Sequence, residues 1–166
     1  VTGSVEAFER MARLLAQLYT RPGHPFERDD PEVHRLHFLW LLKSGQWGML
    51  ASEGKLLGWQ GWYCTDDAGL ARLRDPDHDE LIRGSVMVPL TAGPHVHIAA
   101  TVTAPWAPGH VYRGLFNLTI QVNPTAASFS AHLRKRDGRI RWMFRSGARA
   151  KQCQSERARA AAAASR

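Results

Sequence analysis

The chain has 166 residues, 44% hydrophobic and 22% charged. These are globular values, with length enough for one sizeable core, and they exclude a disordered or fibrous chain. The formal charge of +7 sits at one end: residues 134–166 hold eleven of the 22 Lys and Arg against only Asp137 and Glu156, while the remainder is net −2. A basic end of this kind suits nucleic acid or another polyanion, and equally a solubilising tail.

Residues 4–19 place Val5, Phe8, Met11, Leu14, Leu15 and Leu18 at helical spacing behind Ser4, which predicts an amphipathic helix ending at "TRPGHP". A second helix is expected over 31–44, capped by Asp30, begun by Pro31 and closed by Gly45. "QWGMLAS" and "KLLGWQGWYCT" then flank Glu53-Gly54, a two-residue hairpin signal. Residues 66–84 are polar and loop-like, with one weak helical turn. "SVMVPL" and "HVHIAATVTA" are expected as strands. "HVYRGLFNLT" follows the Pro105-Trp106 corner as a short helix, with "IQVNP" after it as a strand. "ASFSAHLRKRDGRIRWMF" predicts a second hairpin around Asp137-Gly138. From residue 147 the chain is rich in Ala and Arg and has no large apolar residue, a tail unable to bury a core by itself. The expected organisation is one α+β domain over 1–146, a mainly antiparallel sheet with packed helices, followed by a basic tail over 147–166. No run approaches the roughly 18–20 apolar residues of a membrane span, and Glu6 and Glu9 interrupt any signal-peptide core, so a cytoplasmic location is expected.

Several residues invite a chemical reading. His24 lies on a Pro/Gly loop between the two helices, where an imidazole can serve as a general base. His95 and His97, two apart on a strand, share a face, and Thr101 further along would join them in a pocket below Trp106. Hydrogen-bonded strand histidines are the plainer account. A metal would need a third ligand, for which Asp77, His78 and Asp79 are the nearest cluster; no metal is expected. Cys64 and Cys153 form no CxxC pair, and Cys64 reads as a small buried side chain. Trp59 and Trp62 point to opposite faces of their strand, so one can border a ligand groove, and the glycines of "GWQGW" admit close approach or a bulge. Arg134, Arg136, Arg139 and Arg141 alternate with apolar residues, a ribbon able to face phosphates or simply a solvated edge.

The order of elements and the residues at their joints resemble the GNAT superfamily of acyltransferases, and more narrowly the RTX toxin-activating lysine acyltransferases. The resemblance spans roughly residues 24–144. It rests on the helix–strand–turn–strand layout of "LLKSGQWGMLASEGKLLGWQGWY" with Trp62 in the family's Trp position, on "TVTAPW" before "GHVYRGLF", and on Asn123-Pro124 ahead of the "KRDGRI" turn. It implies transfer of an acyl group from a thioester, carried by acyl carrier protein or coenzyme A, to a protein amine. No tightly bound cofactor is implied, and the Gly-rich pyrophosphate loop of acetyl-CoA-dependent members is absent. The family's catalytic His falls on His24, with His34 and His37 as alternatives, and its Asp position falls on Thr101, which cannot act as a carboxylate. The expected catalytic set is therefore His24, His97 and Thr101, and the expected substrate-binding set Trp62, His95 and Trp106. The alternative function is a non-catalytic binding module whose basic hairpin and tail hold nucleic acid.

Overall fold

A computed structural model describes residues 2–74, 93–135, 137 and 139–164 of the chain. The described residues form an α+β fold with a five-stranded mixed sheet and five helices: α1 (Thr2–Tyr19), α2 (Pro31–Ser44), β1 (Trp47–Ser52), β2 (Lys55–Thr65), α3 (Asp67–Arg74), β3 (His95–Thr103), α4 (Val111–Val122), β4 (Ser128–Arg134), β5 (Ile140–Ser146) and α5 (Gly147–Ala164). The strand expected over 85–90 and the cluster Asp77, His78 and Asp79 lie outside the described residues.

Local chemistry explains most boundaries. The Asp30 carboxylate accepts from the Glu32 amide at 2.9 Å, Pro31 opens α2, and Gly45 closes it with its N–H on Leu42 O. Glu53 and Gly54 both adopt positive φ, 50° and 74°, the pair a tight β1–β2 turn requires. Helix α1 begins at Thr2, ahead of the expected opening at Ser4, and two segments differ in type from expectation. Residues 67–74 form a helix rather than a loop, because the Asp66 carboxylate caps the Gly69 amide at 2.8 Å and Leu73 is buried. Residues 120–122 continue α4 rather than forming a strand: Ile120 lies one turn beyond Phe116 in the same core, and Asn123 Nδ2 closes the helix on Thr119 O.

The sheet runs β1-β2-β3-β4-β5, antiparallel throughout except for β3 and β4, which are parallel and joined through α4. Helices α1 and α2 cover one face over Trp59, Tyr63, Ala100 and Val102. Helix α4 and the first turns of α5 cover the other, over Trp62, Val96, Ile98, Phe129 and Ala131. Trp59 and Trp62 thus enter opposite cores, as their spacing requires. The Gly61 position serves packing: a Cβ there would come within 2.5 Å of the Trp59 ring. Helix α5 continues directly from β5, and its Ala150 is buried in the second core.

A β-bulge in β3 has the largest consequence for the site. Gly61 pairs with Ala100 and Trp62 with Ile98, so Ala99 is the extra residue. Before it, Val96 and Ile98 face α4; after it, Ala100 and Val102 face α1 and α2. The strand's inside–outside alternation is inverted at that point.

Candidate functional site

Parallel pairing between β3 and β4 begins at His95–Ser128 and ends at Ile98–Ala131. Beyond it the two strands separate, and a cleft of about 150 Å³ opens between their C-terminal ends. Crevices outside the carboxyl ends of parallel strands are where open α/β sheets bind ligands. The walls include Tyr19, Phe26, Thr101, Tyr112 and His132. A second, more polar hollow of about 370 Å³ adjoins it, lined by Glu27, Arg28, Asp29 and Asp137 among others. His24 and Arg134 line both.

The loop carrying His24 is fixed to the end of β3. Arg21 Nη1 donates to Leu18 O at 2.7 Å and to Thr103 O at 2.8 Å, tying the end of α1 to the strand that borders the cleft. The Tyr19 ring packs against His24 (4.9 Å between centroids) and stacks on Phe26 at 4.4 Å. Burial, with Arg21 and His34 adding to it, pushes the His24 pKa down to about 4, so the ring is neutral at pH 7. The Phe26 amide points at Nδ1 from 3.4 Å, which makes Nδ1 the lone-pair nitrogen. A contact that long is readily exchanged for a better donor. Arg134 spans the boundary between the hollows, with its guanidinium 5.0 Å over the Phe26 ring and 3.3 Å from Asp29. Asp29 also meets His34 Nε2 at 3.1 Å. Burial holds His34 below the usual imidazole range despite that bond. Tyr112, on the first turn of α4, remains a phenol, its pKa raised by burial.

The alternatives to His24 are committed elsewhere. His34 is buried against Asp29, and His37 Nε2 is hydrogen-bonded with the Tyr63 hydroxyl, its pKa lowered to about 4 by burial. Neither lines the described walls of the cleft, whereas His24 does.

The bulge corrects the expected grouping of His95, His97 and Thr101. His95 and His97 do share a face, but it is closed by the neighbouring strand: His97 Nδ1 meets Ser130 Oγ at 3.0 Å, and His95 lies between Ser128 Oγ and Asp67 Oδ1, both at 2.8 Å. His97 is 4% exposed and stacks between Tyr63 and Trp142. Thr101 turns to the opposite face, where its hydroxyl accepts from Gln60 Nε2 at 2.7 Å, and Gln60 Oε1 in turn accepts from Thr119 on α4 at 2.6 Å.

Two expected substrate contacts also lie elsewhere. Trp62 is 5% exposed within the second core. Trp106 is 59% exposed, and its indole N–H donates to Leu56 O on β2. The corner turns the chain into α4, with Ala107 N–H on Ala104 O and Val111 N–H on Pro108 O. The basic ribbon does not form one face either. Arg134 turns to Asp29, Arg139 pairs with Asp137 next to it in the turn, and Arg141 alternates to the face opposite Trp142 and Phe144. Arg136 is outside the described residues. Among the described residues no group of three or more His, Cys, Asp or Glu is placed to hold a metal ion, and no helix is long and apolar enough to cross a membrane. Burial raises the Cys64 thiol pKa, which opposes a nucleophilic role.

Tyr19, Arg21, Gln60, Tyr112 and Thr119 are the site residues missed by sequence reasoning. Gln60 had a legible signal, since it is the lone long polar side chain inside the apolar run of β2. The chain matches no family model and no curated protein.

Proposed function

We propose that the protein is a GNAT-like acyltransferase that moves an acyl group from a thioester, carried by acyl carrier protein or coenzyme A, to an amine. One observation carries the reading. His24 stands where the cleft between the separated parallel strands meets the adjoining polar hollow. A thioester arm laid along the exposed edge of β3 and an amine arriving over Glu27 and Asp29 would meet at His24. Backbone groups of β3 over 97–103, where they are free of β4, would polarise the thioester carbonyl.

The chemistry follows from these groups. The neutral amine adds to the thioester carbon, and His24 takes the proton that becomes acidic as the N–C bond forms. The C–S bond then breaks with collapse of the oxyanion, and Tyr112 protonates the departing thiolate. Solvent carries the proton from His24 back to Tyr112. The His–Asp pair implied by the resemblance is replaced: Thr101 takes no proton, and His24 is held by Tyr19 and the Arg21 clamp instead of a carboxylate.

The test is release of free thiol from acyl-carrier-protein and acyl-coenzyme A donors with an amine acceptor, with the acylated product followed by mass. His24→Ala should lower turnover at least about a hundredfold with the fold unchanged. A parent that releases no thiol with either donor, or an alanine variant of full activity, overturns the reading.

A second reading, polyanion binding, rests on the far half of α5, where Arg157 and Arg159 belong to the exposed residues 155–164.

A further inference from the structure

Gln60 is 1% exposed and sits in the middle of β2 among aromatic and aliphatic side chains. An amide in such a place costs stability unless all its polar atoms are satisfied, and here both ends are used. Its Oε1 accepts from the Thr119 hydroxyl at 2.6 Å, shorter than the 3.1 Å from that hydroxyl to Leu115 O. Its Nε2 donates to Thr101 Oγ1 at 2.7 Å. The bonds run in one direction, from α4 through β2 to β3. They end on a threonine that lines the cleft.

We infer that Gln60 is a positioning residue that makes Thr101 a hydrogen-bond donor into the cleft. With its lone pair engaged by Gln60, the Thr101 hydroxyl has its own proton left to give, and the cleft is the open side. Resting on the acyl-transfer reading above, this makes Thr101 a donor to the thioester carbonyl oxygen. As the amine N–C bond forms, negative charge gathers on that oxygen and the Thr101 O–H stabilises it without transferring its proton; collapse breaks the C–S bond and returns the hydroxyl unchanged. Thr101 then contributes as a donor at the position where a carboxylate was expected, while Gln60 and Thr119 set its orientation from within the core.

The decisive variant is Gln60→Glu, nearly equal in shape but reversible in polarity. Its ionised carboxylate would accept from Thr101 and draw the proton away from the cleft, whereas its protonated form can donate as the amide does. Relative to the parent, this variant should be nearly active at low pH and lose activity as pH rises through its carboxyl pKa. Thr101→Val should lower kcat about 100-fold with KM little changed, and Thr101→Ser should restore it. Thermal melts of each variant establish that it is folded, and Thr119→Val, remote from the cleft, should give a several-fold loss. An active parent whose Thr101→Val variant keeps its kcat overturns the role of Thr101. A Gln60→Glu variant with the parent's pH profile overturns that of Gln60. A parent inactive with both donors fails one step earlier, taking the acyl reading and this inference together.

Discussion

The two ends of the β3–β4 pair differ: one strand is scaffold at its start and borders the candidate site at its finish. At the paired end, each histidine of β3 meets a serine of β4 across the ladder, His95 with Ser128 and His97 with Ser130, and the imidazoles are spent as structural rungs. At the separated end, pairing stops, the register shifts at Ala99, and polar groups of α1, α4 and the loop at His24 converge on the gap. The histidines most conspicuous in the sequence stand at the end without the cleft. What makes a side chain available for chemistry here is loss of the neighbouring strand, not residue type.

Substitutions at the two ends should separate activity from stability. The loss of turnover expected for His24→Ala is the largest effect and belongs to the open end. His97→Ala should do the reverse: removing a buried imidazole leaves Ser130 without that partner and should cost about 1–3 kcal/mol in urea unfolding, with kcat per folded molecule retained. Loss of turnover in folded His97→Ala, with stability intact, would transfer the site to the paired end.

Acid should weaken the fold through His24 and His37, both held near pKa 4 by burial. Between the ordinary imidazole value of about 6.5 and pH 4 the unfolded chain binds more protons than the folded one. Stability from these groups is therefore complete above about pH 6.5 and is lost as the pH falls through that window. Urea midpoints at pH 7 and 4.5 should differ by less in His37→Gln than in the parent, and equal differences would remove His37 from the account.

Trp106→Ala should cost less than about 1 kcal/mol, against the roughly 3–5 kcal/mol usual for a buried Trp such as Trp59. A core-sized loss would show that the corner bears on the packing. Smallest of all, ending the chain at Gln154 removes only exposed residues of α5 and should leave the melting temperature unchanged. Weaker retention of the shortened chain on heparin, steeper in its fall with salt for the parent, would support the polyanion reading; equal retention would overturn it.

Much of this architecture is written locally. Asp30, Pro31 and Gly45 delimit α2, Glu53-Gly54 makes the first hairpin, and the spacing of Trp59 and Trp62 already divides the two cores. His24 was legible because a Pro/Gly loop between helices is a place where an imidazole can serve as a general base. The position of Thr101 was not, because strict alternation assigns it the face of His97, and no local signal in "HIAATVT" marks Ala99 as extra. Gln60 and Thr119 are 59 residues apart and meet only through the packing of α4 on the sheet. Trp106 was misleading for a related reason: a tryptophan at a strand end looks like a wall of a pocket, yet it closes on a carbonyl of the strand behind it.

The single extra residue at Ala99 works as a phase switch in a two-state code. Were the strand to run through Ala99 in regular alternation, composition, charge pattern and helices would all be unchanged, yet every side chain after it would exchange walls. Val102 would move toward Gln60, Thr101 toward Phe38 and Trp59, and the amide would be left facing hydrocarbon. The facing of residues 100–103 thus hangs on a residue with no functional group, whereas losing Ala99 together with its bulge would keep every β2 partner in place.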